Sequence, residues 1–102
     1  MFIKGFSRDV FNYSAPYGSR PSKKVTYTLN GTQDDFGNLI KSLKGLKNQF
    51  VHLKIVKGHN DIFWSLFEFN MLGEKEEKFV AKFLKLNEAK AFLIKEYNIG
   101  RK

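Results

Sequence analysis

The 102-residue chain has no cysteine, two prolines and two histidines. Without cysteine there is no disulfide framework, no iron–sulfur cluster and no thiolate zinc site, and a reducing cytoplasm is the compartment that fits. No apolar run approaches the roughly 18–20 residues that a membrane span needs. The opening Met1-Phe2-Ile3-Lys4-Gly5-Phe6 lacks the charged-then-apolar order of a signal peptide. Cytoplasmic residence is therefore expected, in a bacterial host if the chain is phage-encoded. Acids are also scarce, with 10 Asp and Glu against 18 Lys and Arg, a net charge of +8 and an isoelectric point near 9.8.

That imbalance points first to a polyanionic partner: nucleic acid, an anionic membrane surface or an acidic protein. Solubility is the plainer explanation, but a small domain needs a charge of only about 2–8 in magnitude for that. Hydrophobic residues make up 42% and charged residues 27%, the balance of a single globular domain over residues 1–102. Eleven phenylalanines are many for this length, more than a core of this size absorbs, which leaves some exposed for a reason. The preference for Lys, Asn, Phe and Ile matches AT-rich coding, as in an AT-rich bacterium or a phage or mobile element living in one.

Along the chain, residues 1–6 alternate weakly and read as an edge strand. Residues 7–24 lose periodicity and hold both prolines with a cluster of Ser, Gly and Asn, which marks a long loop. It is longer than an idle connection, so it is either disordered or used. Arg8, Tyr13, Tyr17, Arg20, Lys23 and Lys24 in it mix cations for phosphates with rings for bases, the residue types of a nucleic-acid arm. Alternatively, Phe11 and the tyrosines simply pin the loop to the core. Val25–Leu29 is β-branched and alternating, a strand closed by Asn30-Gly31. Thr32 reads as a helix N-cap with Asp34 and Asp35 in the first turn, and Phe36, Leu39, Ile40 and Leu43 follow at helical spacing up to Gly45.

The stretch Gln49 to Lys85 carries half the phenylalanines and the only tryptophan. It reads as strands 50–57, 62–72 and 77–85 joined by turns at 58–61 and 73–76. Asn87 is expected to cap a last helix, 88–98, with Ala89, Phe92, Leu93 and Tyr97 on its apolar face. The fold expected is α+β with order β-β-α-β-β-β-α: two helices on a mostly antiparallel sheet of four to five strands.

Four-residue turns would set Ile55 against Trp64, Leu53 against Leu66, Val51 against Glu68, Asn70 against Phe79 and Leu66 against Phe83. One face then carries Val51, Leu53, Ile55, Trp64, Leu66, Phe79, Ala81 and Phe83, a core face. The other carries Phe50, His52, Lys54, Val56, Phe63, Ser65, Phe67, Phe69, Met71, Lys78, Val80, Lys82 and Leu84, rings among lysines. Left open, that second face is a stacking platform in which Phe63, Phe67 and Phe69 meet bases and Lys54, Lys78 and Lys82 meet phosphates. Covered by the second helix or the long loop, it is ordinary core with snorkelling lysines, the commoner fate of phenylalanine.

Catalysis is not expected. His52 falls mid-strand, His59 lies in a tight turn beside Asp61, and no nucleophile elbow, phosphate-cradling glycine loop or carboxylate cluster accompanies them. No metal or cofactor is implied. The expected function is non-catalytic binding of single-stranded or structured nucleic acid, DNA or RNA, with weak sequence preference. The alternative is a phage or mobile-element interaction module or inhibitor that binds a host protein or nucleoprotein. Membrane binding fits worse, since neither expected helix joins a lysine-rich face to a wide bulky one.

Overall fold

The computed structural model describes residues 5–13, 22–45, 51–58, 61–70 and 76–100. The β-branched and aromatic stretches form five strands: β1 (Phe6–Tyr13), β2 (Ser22–Leu29), β3 (His52–Lys57), β4 (Trp64–Asn70) and β5 (Glu76–Phe83). They make one sheet in the order β1-β2-β3-β4-β5, every neighbouring pair antiparallel. Among the described residues a single helix, α1 (Leu86–Tyr97), follows β5. The fold is α+β on an antiparallel sheet.

Alternation along the strands separates two faces. The inner face buries Phe6, Leu29, Val51, Leu53, Ile55 and Leu66 against Ala89, Leu93 and Tyr97 of α1. At the C-terminal end of the helix Asn98 adopts the left-handed conformation and its N–H donates to Leu93 O. Such a residue satisfies an otherwise orphaned carbonyl. The N-cap is Lys85, without a side-chain cap bond, so Asn87 does not cap the helix. Asn87 lies inside the first turn, because the chain turns helical directly after β5.

The helix expected after Thr32 is absent. Asp34 instead accepts the N–H groups of Phe36 (2.9 Å) and Asn38 (3.0 Å), a side-chain turn that competes with helical pairing. Gly37 and Gly45 sit at positive φ, 82° and 78°, where a helix cannot run. Gln33 and Leu39 make an isolated antiparallel bridge. Of the four apolar residues expected on one helical face, only Ile40 is buried.

Of the expected loop 7–24, residues 7–13 belong to β1 and 22–24 to β2, paired from Phe6↔Leu29 to Tyr13↔Ser22, and residues 14–21 lie outside the described residues. The described edge strand begins at Phe6; residues 1–4 of the strand expected over 1–6 lie outside the described residues. The backbone N–H of Asn30 donates to Gly5 O at 2.9 Å, closing the open end of the hairpin.

One buried carboxylate ties these parts together. Glu68, on β4, is fully buried and accepts four hydrogen bonds. Its donors are the Ser42 hydroxyl, the backbone N–H groups of Leu43 (2.7 Å) and Lys44 (3.3 Å), and the Tyr97 hydroxyl (2.6 Å). The connection between β2 and β3 and the end of α1 are thus both fastened to the middle of the sheet. Asp35 N–H adds a bond to Asn98 O at 2.8 Å.

Candidate functional site

The outer face of the sheet has no described element across it. The helix contacts only β4 and β5, and its buried residues join the inner cluster. Every described side chain on the outer face keeps part of its surface in water. The last helix packs on the inner face instead, and the helix expected after Thr32 does not form, so no described element makes the outer face a core.

Register builds the outer face in rows. One row runs Ser7, Thr28, Lys54, Phe67 and Phe79 across all five strands; the next runs Asp9, Thr26, Val56, Ser65 and Lys82. Rings and ammoniums are interleaved within it. The Lys54 Nζ stands 5.7 Å from the Phe67 ring centre and 5.5 Å from that of Phe69, and it bonds Glu77 at 3.0 Å. The Lys82 Nζ lies 4.9 Å from the Phe63 ring centre. These distances lie within the range where an ammonium is attracted to an aromatic face. Phe67 meets Phe79 edge-on at 5.7 Å, and His52 stacks on Phe69 at 5.2 Å. Phe79 is 50% exposed and Phe11, opposite Lys24, is 59% exposed.

Two differences from the expected pairing decide this arrangement. In the β3–β4 hairpin Ile55 pairs with Leu66, and Leu53 with Glu68, a shift of two residues that leaves each side chain on its expected face. In the β4–β5 hairpin the register shifts at Leu66/Phe67. Beyond that bulge Phe79 pairs with Phe67 and so faces outward, while Val80 packs against the core. An odd shift exchanges faces. Lys78 consequently pairs opposite Glu68, away from the outer rows, and is exposed on the edge strand.

The expected site residues therefore divide. Lys24, Lys54, Phe63, Phe67 and Lys82 gather on or beside the outer face. Arg8 and Lys23 alternate to the inner face, where they line a cleft with Tyr27, Lys57 and Trp64. Tyr13 ends β1 opposite Ser22, its side chain outside the described residues, as are Tyr17 and Arg20. Tyr27, Lys57 and Trp64 were not expected at a site; their signal was the lone tryptophan seven residues from a lysine that closes its hairpin strand.

Among the described residues no three His, Asp or Glu side chains group as a metal set, and no helix there is long and apolar enough to cross a membrane. His59 lies outside the described residues. Comparison with protein-family models, curated proteins and solved structures finds no match.

Proposed function

We propose that the protein is a non-catalytic binder of single-stranded nucleic acid, DNA or RNA, through the outer face of its sheet. The observation that supports the reading is a face that no described element covers, on which rings alternate with lysine ammoniums. A strand laid across it would stack bases on Phe79, Phe67 and Phe11, each stacked base contributing about 1–3 kcal/mol. Lys24, Lys54 and Lys82 would meet phosphates. Such contacts fix position without reading sequence, so weak sequence preference follows.

The test is fluorescence anisotropy of a labelled single strand with the protein and its Lys54→Glu/Lys82→Glu variant, with thermal melting as a folding control. The reading expects a loss of at least about tenfold in affinity, because each reversed charge loses a phosphate contact and adds repulsion. Equal affinity in a folded variant would remove the outer face as the site.

One observation favours a second reading, a module that docks on a host protein or nucleoprotein. Phe36, Leu39 and Leu43, between β2 and β3, are 64%, 53% and 41% exposed. Three bulky apolar side chains within eight residues are more than chance surface exposure supplies. Binding to a host protein that Leu39→Lys abolishes, without any single-strand affinity, would establish this reading over the first.

A further inference from the structure

The described elements do not cover the whole inner face. The helix and the β2–β3 connection lie over the part centred on Leu53 and Glu68, and beyond them the β1–β2 end of the sheet continues into an open cleft of about 380 Å³. That lies within the range of small-ligand sites, about 300–1,000 Å³.

Three cations from three strands border the cleft: Arg8 on β1, Lys23 on β2 and Lys57 on β3. Among the described residues no aspartate or glutamate side chain lines it; the acid beside it is Asp61, whose carboxylate accepts the N–H of the lining Gly58 at 2.9 Å. Their placement follows from register. Arg8 pairs with Tyr27 and Lys57 with Val25, so the cations stand around a floor made by Val25 and Tyr27. Trp64 on β4 forms the far wall, its ring 5.8 Å from that of Tyr27 and 5.5 Å from the Lys57 Nζ.

Three cations border the cleft against the single carboxylate of Asp61, which is already bonded to the Gly58 N–H, so the cleft carries a positive balance that favours an anion. Arginine supplies a forked donor suited to phosphate oxygens, and lysines add compact charge. The aromatic side of the cleft has a different preference: a flat π-system stacked on Trp64 or Tyr27. A bare anion leaves the rings unused, and a neutral ring leaves the cations unneutralised. A nucleotide satisfies both at once.

We infer that this cleft binds one nucleotide unit, its phosphate held by Arg8, Lys23 and Lys57 and its base stacked against Trp64 and Tyr27. The unit is either free or part of a strand. This site lies on the face opposite the proposed strand platform and does not depend on it.

Trp64 is the only tryptophan, so intrinsic fluorescence reports from inside the cleft. The experiment titrates the full chain with adenosine 5′-monophosphate, adenosine, inorganic phosphate and a twelve-residue oligothymidylate. The monophosphate is expected to change Trp64 emission saturably, with adenosine and phosphate each at least about tenfold weaker, since one loses the charge-assisted bonds and the other the stacking. The Arg8→Gln/Lys23→Gln variant alters two exposed side chains and should melt like the parent while binding the monophosphate at least about tenfold more weakly. A response to the oligonucleotide at lower concentration than to the monophosphate assigns the unit to a strand; the reverse order assigns it to a free nucleotide. Lys54→Glu/Lys82→Glu should leave the monophosphate response unchanged, which separates this site from the outer face. No saturable response to the monophosphate, an equal response to adenosine, or an unaltered Arg8→Gln/Lys23→Gln variant would overturn the inference.

Discussion

Glu68 is buried where a carboxylate is costly unless its oxygens are satisfied, and four donors satisfy them. Glu68→Gln keeps the shape but turns one acceptor into a donor facing other donors. A loss of about 2 kcal/mol or more is expected in denaturant unfolding, a large share of the roughly 5–15 kcal/mol that a domain this size has. Tyr97→Phe removes one donor and should cost about 2 kcal/mol. It also removes a pH effect. Burial, reinforced by donation to Glu68, raises the Tyr97 hydroxyl pKa above its ordinary 10.0. The fold thus favours the protonated phenol: its contribution is fully present below about pH 10 and declines as pH rises further. Melting curves of parent and Tyr97→Phe should therefore converge above pH 10, and a constant gap would show that Tyr97 does not titrate in this way.

Gly37 gives a second residue-scale expectation. Its φ is +82° and a Cβ there meets nothing within 4 Å, so Gly37→Ala tests backbone conformation alone. A cost of about 1–2 kcal/mol follows from the left-handed region; an unchanged unfolding midpoint would mean the turn relaxes without resistance. Glu68 shows the reach and limit of reading residues alone. Pairing opposite Val51 already turned it towards the core, yet its partners come from Ser42–Lys44 and Tyr97, which no local pattern brings together.

At the scale of elements, the two apolar-periodic segments had opposite outcomes. Both looked helical, and only α1 is. Leu93 is fully buried and Leu39 is 53% exposed. Leu93→Ala should cost about 2–5 kcal/mol, while Leu39→Ala should stay within about 0.5 kcal/mol. Similar losses at both positions would place Leu39 in a core after all. Spacing misled between Thr32 and Leu43 because Asp34 and Gly37 supply turn chemistry that outweighs periodicity. Val25–Leu29 reads as a strand and lies within β2, but β1 beyond Phe6 and the start of β2 were illegible for a different reason. Arg8, Asp9, Phe11, Asn12, Lys23 and Lys24 are all exposed, and a ribbon wet on both faces has no period-two hydrophobic signal. In β3 and β4 one face is buried and the other is not, so alternation survived even a two-residue error in register. The bulge beside Phe67 carries no such signature, and it put Phe79 and Lys78 on unexpected faces.

At the scale of the molecule, the radius of gyration is 14.6 Å with extents of 49 × 31 × 19 Å, against about 13 Å for a compact chain of this length. One helix on a five-stranded sheet makes a flat body with much uncovered surface, and a charge of +8 lies over it. Composition made a polyanion plausible; the faces on which the cations lie depend on pairings that composition does not contain. The direct measurement is the affinity of the unmodified protein for a labelled single strand across a series of salt concentrations. With Lys24, Lys54 and Lys82 on phosphates, log K should fall against log salt with a slope of about −2, roughly 0.7 for each contact. No saturable binding at low salt, or an affinity indifferent to salt, would contradict the account.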